Sequence, residues 1–171
     1  MDMKLHLEKF TPNDFPEYFR LVSNEKVMEM ITERIIPLEE ARGDFEKLIE
    51  NNKLDPSFGN FKILGTVSEE FIGLAKLEIK EGSSDQAELG YMILPEYWGK
   101  GIAGTVAKRL TEVAKTHRSL TKLFAFIDPR NIPSRKILIN NGFVSKEYKD
   151  FDGLPGEVLE LGLNSEHFTN G

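Results

Sequence analysis

The chain has 171 residues, 40% of them hydrophobic and 29% charged, which is typical of a soluble globular domain. Its net charge of −6 argues against general nucleic-acid binding, and the lack of cysteine excludes disulfides, thiolate metal sites and a cysteine nucleophile. No apolar run approaches the length of a membrane span, and the first residues lack the pattern of a secretory signal. We therefore expect a cytoplasmic protein that binds neither nucleic acid nor membrane.

The first third of the chain predicts one strand followed by three helices. The strand shows alternating polarity, Thr11 and Pro12 fit a helix start, and Pro37 begins a segment with apolar residues at helical spacing. The predicted elements are a strand at 4–10 and helices at 12–22, 24–33 and 37–51.

The rest of the chain predicts strands that alternate with two further helices. The strands are at 58–67, 71–79, 88–94, 123–127, 144–148 and 157–163, and the helices are at 102–117 and 131–140. The last two strands would flank a turn at 153–156. Residues 123–127 are apolar on both faces, which predicts a covered central strand, parallel to its neighbour across the helix, with Phe124 and Phe126 in the core.

The predicted order gives a mixed α/β sheet of about seven strands in a single domain over residues 1–164. Residues 165–171 read as a flexible C-terminal tail. The three histidines do not cluster, and no metal site is expected.

A glycine-rich turn precedes the helix predicted at 102–117. Gly99, Gly101 and Gly104 follow the strand at 88–94, with Lys100 among them. Glycine lets a backbone approach a ligand closely, and the first N–H groups of a helix lack intrahelical partners. The segment therefore predicts a cradle for a phosphate group.

The same glycines match the G-x-G-x-x-G pattern of dinucleotide-binding proteins, and Asp128 stands near the position of a ribose-binding acid. Three features count against this alternative. Residues 95–98 separate the strand from the first glycine, too little chain follows for a doubly wound sheet, and the preceding strands read as an antiparallel meander. A nicotinamide-dependent enzyme is therefore kept only as a weaker hypothesis, behind the two that are given at the end of this subsection.

Taken together, the segments at 88–94, 98–103, 131–135 and 141–143 resemble the GNAT superfamily of acyl-CoA-dependent N-acetyltransferases, closest to its ribosomal-protein-alanine branch. The resemblance extends from Leu5 to about Leu163. It departs at Trp98, where the family's pyrophosphate loop usually begins with Gln or Arg. It implies a mostly antiparallel seven-stranded sheet, flanked by helices, with two splayed parallel central strands.

The resemblance also implies a binding site for acetyl-CoA or coenzyme A. Backbone groups of Met92 and Leu94 would pair with the pantetheine arm, and the Met92 N–H would polarise the thioester carbonyl. The N–H groups that would hold the pyrophosphate belong to Gly99, Gly101, Ile102, Ala103 and Gly104. Lys100, Arg135 and Lys136 are candidates for the outer phosphate, or else solvated surface charges.

Five side chains are candidates for the chemistry or for binding the cofactor. Glu88 would act as the general base, or is simply a polar strand residue; Asp128 and Glu78 are weaker candidates. Many relatives have a tyrosine where this chain has Leu138, so the proton for the leaving thiolate would come from Ser134 or from water. Asn131 would bind the pantetheine amide, cap the helix, or do both.

The resulting hypothesis is an N-acetyltransferase that moves an acetyl group directly from acetyl-CoA to a primary amine on a protein N-terminus or a small molecule. The alternative is a non-catalytic acyl-CoA-binding sensor or interaction module, which the missing tyrosine keeps open. The protein is expected to act as a monomer or homodimer.

Overall fold

The computed structural model describes residues 4–163, which form seven strands and five helices. The strands are β1 (Leu5–Lys9), β2 (Gly59–Gly65), β3 (Phe71–Ile79), β4 (Gln86–Ile93), β5 (Lys122–Ile127), β6 (Val144–Phe151) and β7 (Leu154–Gly162). The helices are α1 (Phe15–Val22), α2 (Glu25–Met28), α3 (Leu38–Asn52), α4 (Ile102–Lys115) and α5 (Ile132–Asn140). The predicted tail at 165–171 lies outside the described residues. Among the helices of residues 4–163, none combines the length and apolar character needed to span a bilayer.

The strands are hydrogen-bonded in the order β1-β2-β3-β4-β5-β7-β6. The first residues of β4 and β5 pair in parallel, with Gln86 opposite Lys122 and Glu88 opposite Phe124. The pairs β1–β2, β5–β7 and β6–β7 are antiparallel. The predicted mixed, mostly antiparallel sheet of seven strands, with one parallel central pair, is therefore confirmed.

The described chain divides into two compact units. The first comprises residues 4–76 and 91–103, and the second comprises residues 77–90 and 104–163. Strands β3 and β4 contribute residues to both units. The assignment of residues 1–164 to a single domain stays a prediction.

The first unit is built around an aromatic core. Phe10 lies at its centre, with its ring 6.1–6.4 Å from the rings of Tyr18, Phe45 and Phe71. Such edge-to-face ring pairs add to the free energy gained by removing the rings from water. Leu94 is buried in the same cluster, and Met92 packs against it, so the core holds the backbone that follows the middle of β4.

The predicted helix at 24–33 is much shorter in the structure. Asn24 caps α2 by accepting hydrogen bonds from the N–H groups of Lys26 and Val27, as its residue type favours. The helix ends at Met28, whose carbonyl accepts from the N–H groups of residues 31–33. Glu33 has a left-handed φ of 61°, which no α-helix can continue.

Two predictions about the second unit need correction. Phe126 of β5 is 44% exposed, so the end of this strand is not covered on both faces; its ring packs against Phe124 and Phe151 at 5.1–5.2 Å. The turn between β6 and β7 is shorter than the predicted 153–156. It consists of Asp152 and Gly153, whose φ angles of 54° and 92° match the left-handed turn that closes two-residue hairpins.

Candidate functional site

The predicted glycine-rich turn connects β4 to α4 in the first unit. A short 3-10 turn at Pro95–Tyr97 follows β4, and Trp98 anchors what comes next, because its indole Nε1 donates to the Ile93 carbonyl at 2.8 Å. Gly99 and Gly101 then adopt φ angles of 78° and 77°. Glycine adopts this left-handed conformation without steric penalty. Lys100, between the two glycines, does not have a positive φ. Left-handed residues that alternate with right-handed ones turn neighbouring N–H groups towards a common point.

Four amides of this turn are available to a ligand. Among residues 4–163, no hydrogen-bond acceptor within the protein is found for the N–H groups of Gly99, Lys100, Ile102 and Ala103. An added Cβ at Gly99 or Gly101 would meet open space. Glycine is therefore favoured at these positions by the backbone conformation and not by a lack of room for a side chain. The Ile102 side chain is buried and fixes the start of α4, while Lys100 is exposed. The arrangement suits a diphosphate or another oxyanion.

Gly104, the third residue of α4, belongs to the second unit. A Cβ at this position would meet nothing within 4 Å. Glycine inside a helix is less stable than alanine by about 0.5–1 kcal/mol. The internal packing of the described chain gives no reason for this glycine, which is consistent with close approach of a ligand.

Leu94, one of the two strand residues predicted to pair with the cofactor, makes backbone hydrogen bonds within the first unit. The Leu94 N–H donates to the Ile72 carbonyl at 2.9 Å, and the Leu94 carbonyl accepts from Tyr97 N–H at 2.9 Å. The Leu94 N–H is thus used by the protein, and only its carbonyl, with a second lone pair, stays available for the predicted pairing.

Gly73 was not identified from the sequence. A Cβ there would lie 2.1 Å from the Met92 carbonyl oxygen, so only glycine allows β3 to approach Met92 this closely. The available signal was a glycine inside a predicted strand, which often marks close backbone contact.

Glu88, the proposed base, lies on β4 in the second unit. It is half-buried and sits within the parallel register, opposite Phe124. Asp128, the weaker candidate, follows β5 and is buried, with its carboxylate accepting from Arg130 Nε at 3.0 Å. Hydrogen bonds from Arg130 lower the pKa of Asp128. An acid so stabilised in its ionised form is a poor general base near neutral pH.

The first turn of α5 carries Asn131 and Ser134. The Asn131 side-chain oxygen accepts from the Ser134 N–H at 3.3 Å and caps the helix as predicted. The Asn131 Nδ2 group has no partner among residues 4–163, so capping leaves its donors available. Ser134 is only 9% exposed, and its hydroxyl likewise has no hydrogen-bond partner in the described part of the chain. Leu138, at the position of the family's tyrosine, is buried.

Arg135, proposed to bind an outer phosphate or else to be a solvated charge, is ion-paired within the protein, with its side chain 38% exposed. Its Nε lies 3.1 Å from both carboxylate oxygens of Glu157 on β7. Glu157 is completely buried and was not identified from the sequence. The sequence marks Glu157 only as a charged residue at the start of the apolar segment that predicts the last strand, at 157–163.

Residues 4–144 match the model of the acetyltransferase (GNAT) domain. This match covers most of the chain, which therefore belongs to the GNAT acetyltransferase family, as its sequence motifs predicted. Within residues 4–163, no group of three or more His, Asp or Glu side chains suits a metal ion.

The relatives found by sequence and by structure agree with this assignment. The chain is 25% identical over 119 residues to an uncharacterized N-acetyltransferase, p20, of Bacillus licheniformis, covering 69% of this chain and 67% of that protein. Its fold is similar to that of spermidine N-acetyltransferase from Vibrio cholerae, solved with CoA and spermine (TM-score 0.76, 21% identity, 93% and 95% of the two chains). It is also similar to a ribosomal L7/L12 α-N-protein acetyltransferase solved with coenzyme A (TM-score 0.76, 15% identity, 93% and 94%).

Proposed function

We propose that the protein transfers an acetyl group from acetyl-CoA to a primary amine. The observation that carries this proposal is the glycine turn at the start of α4, where amides without protein acceptors surround two left-handed glycines. Backbone donors at a helix N-terminus are suited to the diphosphate of coenzyme A. Membership of the GNAT family and the coenzyme A complexes of two structural relatives support the same cofactor.

The proposed cofactor contacts follow those predicted from the sequence. In the first unit, the amides of Gly99, Gly101, Ile102 and Ala103 bind the pyrophosphate, and Met92 pairs with the pantetheine arm. In the second unit, Asn131 offers its Nδ2 donors to a pantetheine carbonyl. These assignments need no side chain from Trp98, because the turn acts through its backbone.

Direct transfer forms a bond between the amine nitrogen and the acetyl carbon and breaks the carbon–sulfur bond. Acetyl-CoA supplies the activated acyl group. We assign removal of the amine proton to Glu88, which releases it to water. We assign donation of a proton to the departing sulfur to Ser134, whose hydroxyl regains a proton from water and has no other partner in the described chain. A chain without cysteine suits a route with no covalent enzyme intermediate.

An amine acceptor is supported by two relatives, whose names give spermidine and a ribosomal protein as substrates. The net charge of −6 is compatible with a cationic acceptor.

Release of free thiol from acetyl-CoA with a panel of amines tests the reaction. Binding of coenzyme A without turnover on any amine would favour the non-catalytic module, and tight binding of NADH alone would favour the dinucleotide enzyme.

The cradle itself is tested by Gly101→Glu. We expect this substitution to weaken coenzyme A binding about a hundredfold, corresponding to about 2.7 kcal/mol, because it places a negative charge and a strained side chain at the proposed pyrophosphate position. Calorimetry with coenzyme A measures the effect.

Gly82→Glu is a matched control for this experiment. Gly82 has nearly the same φ, 78°, and equally open surroundings, but it lies in the connection between β3 and β4. The Gly82→Glu variant should bind coenzyme A with the same affinity as the wild type. Equal affinities for wild type and Gly101→Glu would refute the cradle.

A further inference from the structure

A completely buried carboxylate contacts the first turns of α5 in the second unit. Glu157 lies on β7, with Ile127 of β5 and Tyr148 of β6 as its cross-strand neighbours. Both of its oxygens lie 3.1 Å from Arg135 Nε, and Arg135 is the fourth residue of α5. The pair therefore connects this helix to the sheet.

Such a pair is a costly way to gain stability. A buried carboxylate needs a compensating partner, and apolar residues of similar volume often serve stability as well as a buried ion pair does. What the pair does provide is direction, because a guanidinium group meets carboxylate oxygens in a restricted geometry. Hydrogen bonding with Tyr148, followed by the charge of Glu157, also raises the pKa of Arg135, in keeping with a fixed cation.

The connection controls a short helix at its functional end. Helix α5 has nine residues, too few to be stable without tertiary contacts. The Arg135 N–H donates to the Asn131 carbonyl at 3.1 Å, and the Ser134 N–H donates to the Asn131 side chain. Holding Arg135 therefore holds the turn that presents Ser134.

We propose that Glu157 is a positioning residue, which acts through Arg135 to fix the first turn of α5 and hence the direction of the Ser134 hydroxyl. This inference rests on the proposed function, in which Ser134 donates a proton to the departing sulfur. Glu157 itself touches neither cofactor nor acceptor in this proposal.

A pair of glutamine variants on the same strand tests the proposal. Glu157→Gln keeps the shape of the side chain and removes its charge. Glu160→Gln does the same to a partly exposed residue that pairs with Lys122 at 3.3 Å. We expect Glu157→Gln to lower kcat about tenfold or more, since small displacements of a catalytic group are costly, and Glu160→Gln to leave it unchanged. Equal kcat values for Glu157→Gln and wild type would overturn the proposal.

A double variant separates positioning from general loss of stability. If Glu157 acts through Ser134, then Ser134→Ala combined with Glu157→Gln should lower kcat no further than the more damaging single change. A loss equal to the product of the two single losses would show that they act independently and would overturn the proposal. An unchanged kcat in Ser134→Ala alone would do the same.

Hydrogen exchange in the unliganded protein gives a readout that needs no activity. The amides of Ser134 and Arg135 should exchange about tenfold faster in Glu157→Gln than in wild type or Glu160→Gln.

If Glu157→Gln does not fold, Arg135→Lys replaces it, because lysine keeps the charge but lacks the planar guanidinium. Unchanged exchange at these amides would overturn the proposal even in an active enzyme. An inactive wild type that does not bind coenzyme A would instead refute the proposed function, and exchange would still decide the role of Glu157.

Discussion

Trp98 stands where related proteins usually have Gln or Arg, and its contacts explain how this chain differs. The indole is half-exposed, and its Nε1 donates to the carbonyl of Ile93, the last residue of β4. The side chain thus closes the turn between strand and helix. Because the glycine turn offers backbone N–H groups, this departure leaves the proposed anion site intact.

Glu88 is the residue on which the proposed proton transfer depends. We expect Glu88→Gln to lower kcat and to remove the acidic limb of its pH profile, because the amide cannot accept the amine proton. A rate profile from about pH 5 to 9 measures this, with exposed Glu81→Gln as the control. An acidic limb that persists in Glu88→Gln would assign the base to another group.

At the scale of single elements, the start of α5 combines structural and chemical roles in one side chain. Asn131 uses its oxygen as the helix cap and keeps its Nδ2 donors unbound within residues 4–163. The two roles use different atoms, so they can be separated by substitution.

Asn131→Ser and Asn131→Ala make that separation. Serine caps helices about as well as asparagine, so only the alanine variant should lose stability, by about 1 kcal/mol in the free energy of unfolding. Both lack the amide donors, so both should weaken coenzyme A binding about two- to tenfold. Urea denaturation and calorimetry measure the two effects. Wild-type affinity in Asn131→Ser would remove Asn131 from the proposed cofactor contacts.

The elements predicted best are those marked by local signals. The apolar spacing of α3 and α4 and the alternation of β1 predicted their ends to within a few residues. Helix α2 was overestimated, because its early end depends on hydrogen bonds that converge on Met28. The β6–β7 turn was placed too late, although Asp152-Gly153 is itself a typical hairpin dipeptide.

At the scale of the whole molecule, the aromatic core of the first unit gives a dependence of stability on pH. Burial, and then the charge of Asp44, raises the pKa of Tyr18 to about 12. An unfolded tyrosine ionises near pH 10, whereas the folded one keeps its proton to higher pH. Stability is therefore present in full below about pH 10 and is lost as the pH rises towards 12.

We expect this loss to reach about 3 kcal/mol in the wild type and to be absent from Tyr18→Phe. Denaturant unfolding measured at intervals between about pH 8 and 12 provides the comparison. The difference between the two proteins should be constant up to about pH 10 and should shrink above it. A constant difference over the whole range would show that Tyr18 ionises equally in the folded and unfolded chains.

The order of strands illustrates what pattern reasoning cannot reach. The apolar segment at β5 predicted a parallel neighbour across a helix, and the structure pairs β5 with β4 in parallel. The placement of β7 between β5 and β6 was not predicted, since antiparallel strands joined by a hairpin can add to a sheet in either order. The exposure of Phe126 has the same origin, because which face of a strand is covered depends on distant segments.

The sequence by itself determined the family, the strand–turn–helix arrangement of the glycine loop and the cap at Asn131. Each depends on residues close together in the chain, whose backbone preferences act locally. Only the tertiary structure decided that Leu94 N–H is used by β3, that Gly73 lies against Met92 and that Arg135 meets buried Glu157. These contacts join residues about 20 apart in sequence, and their partners are selected by packing and by the cost of leaving buried polar groups unpaired.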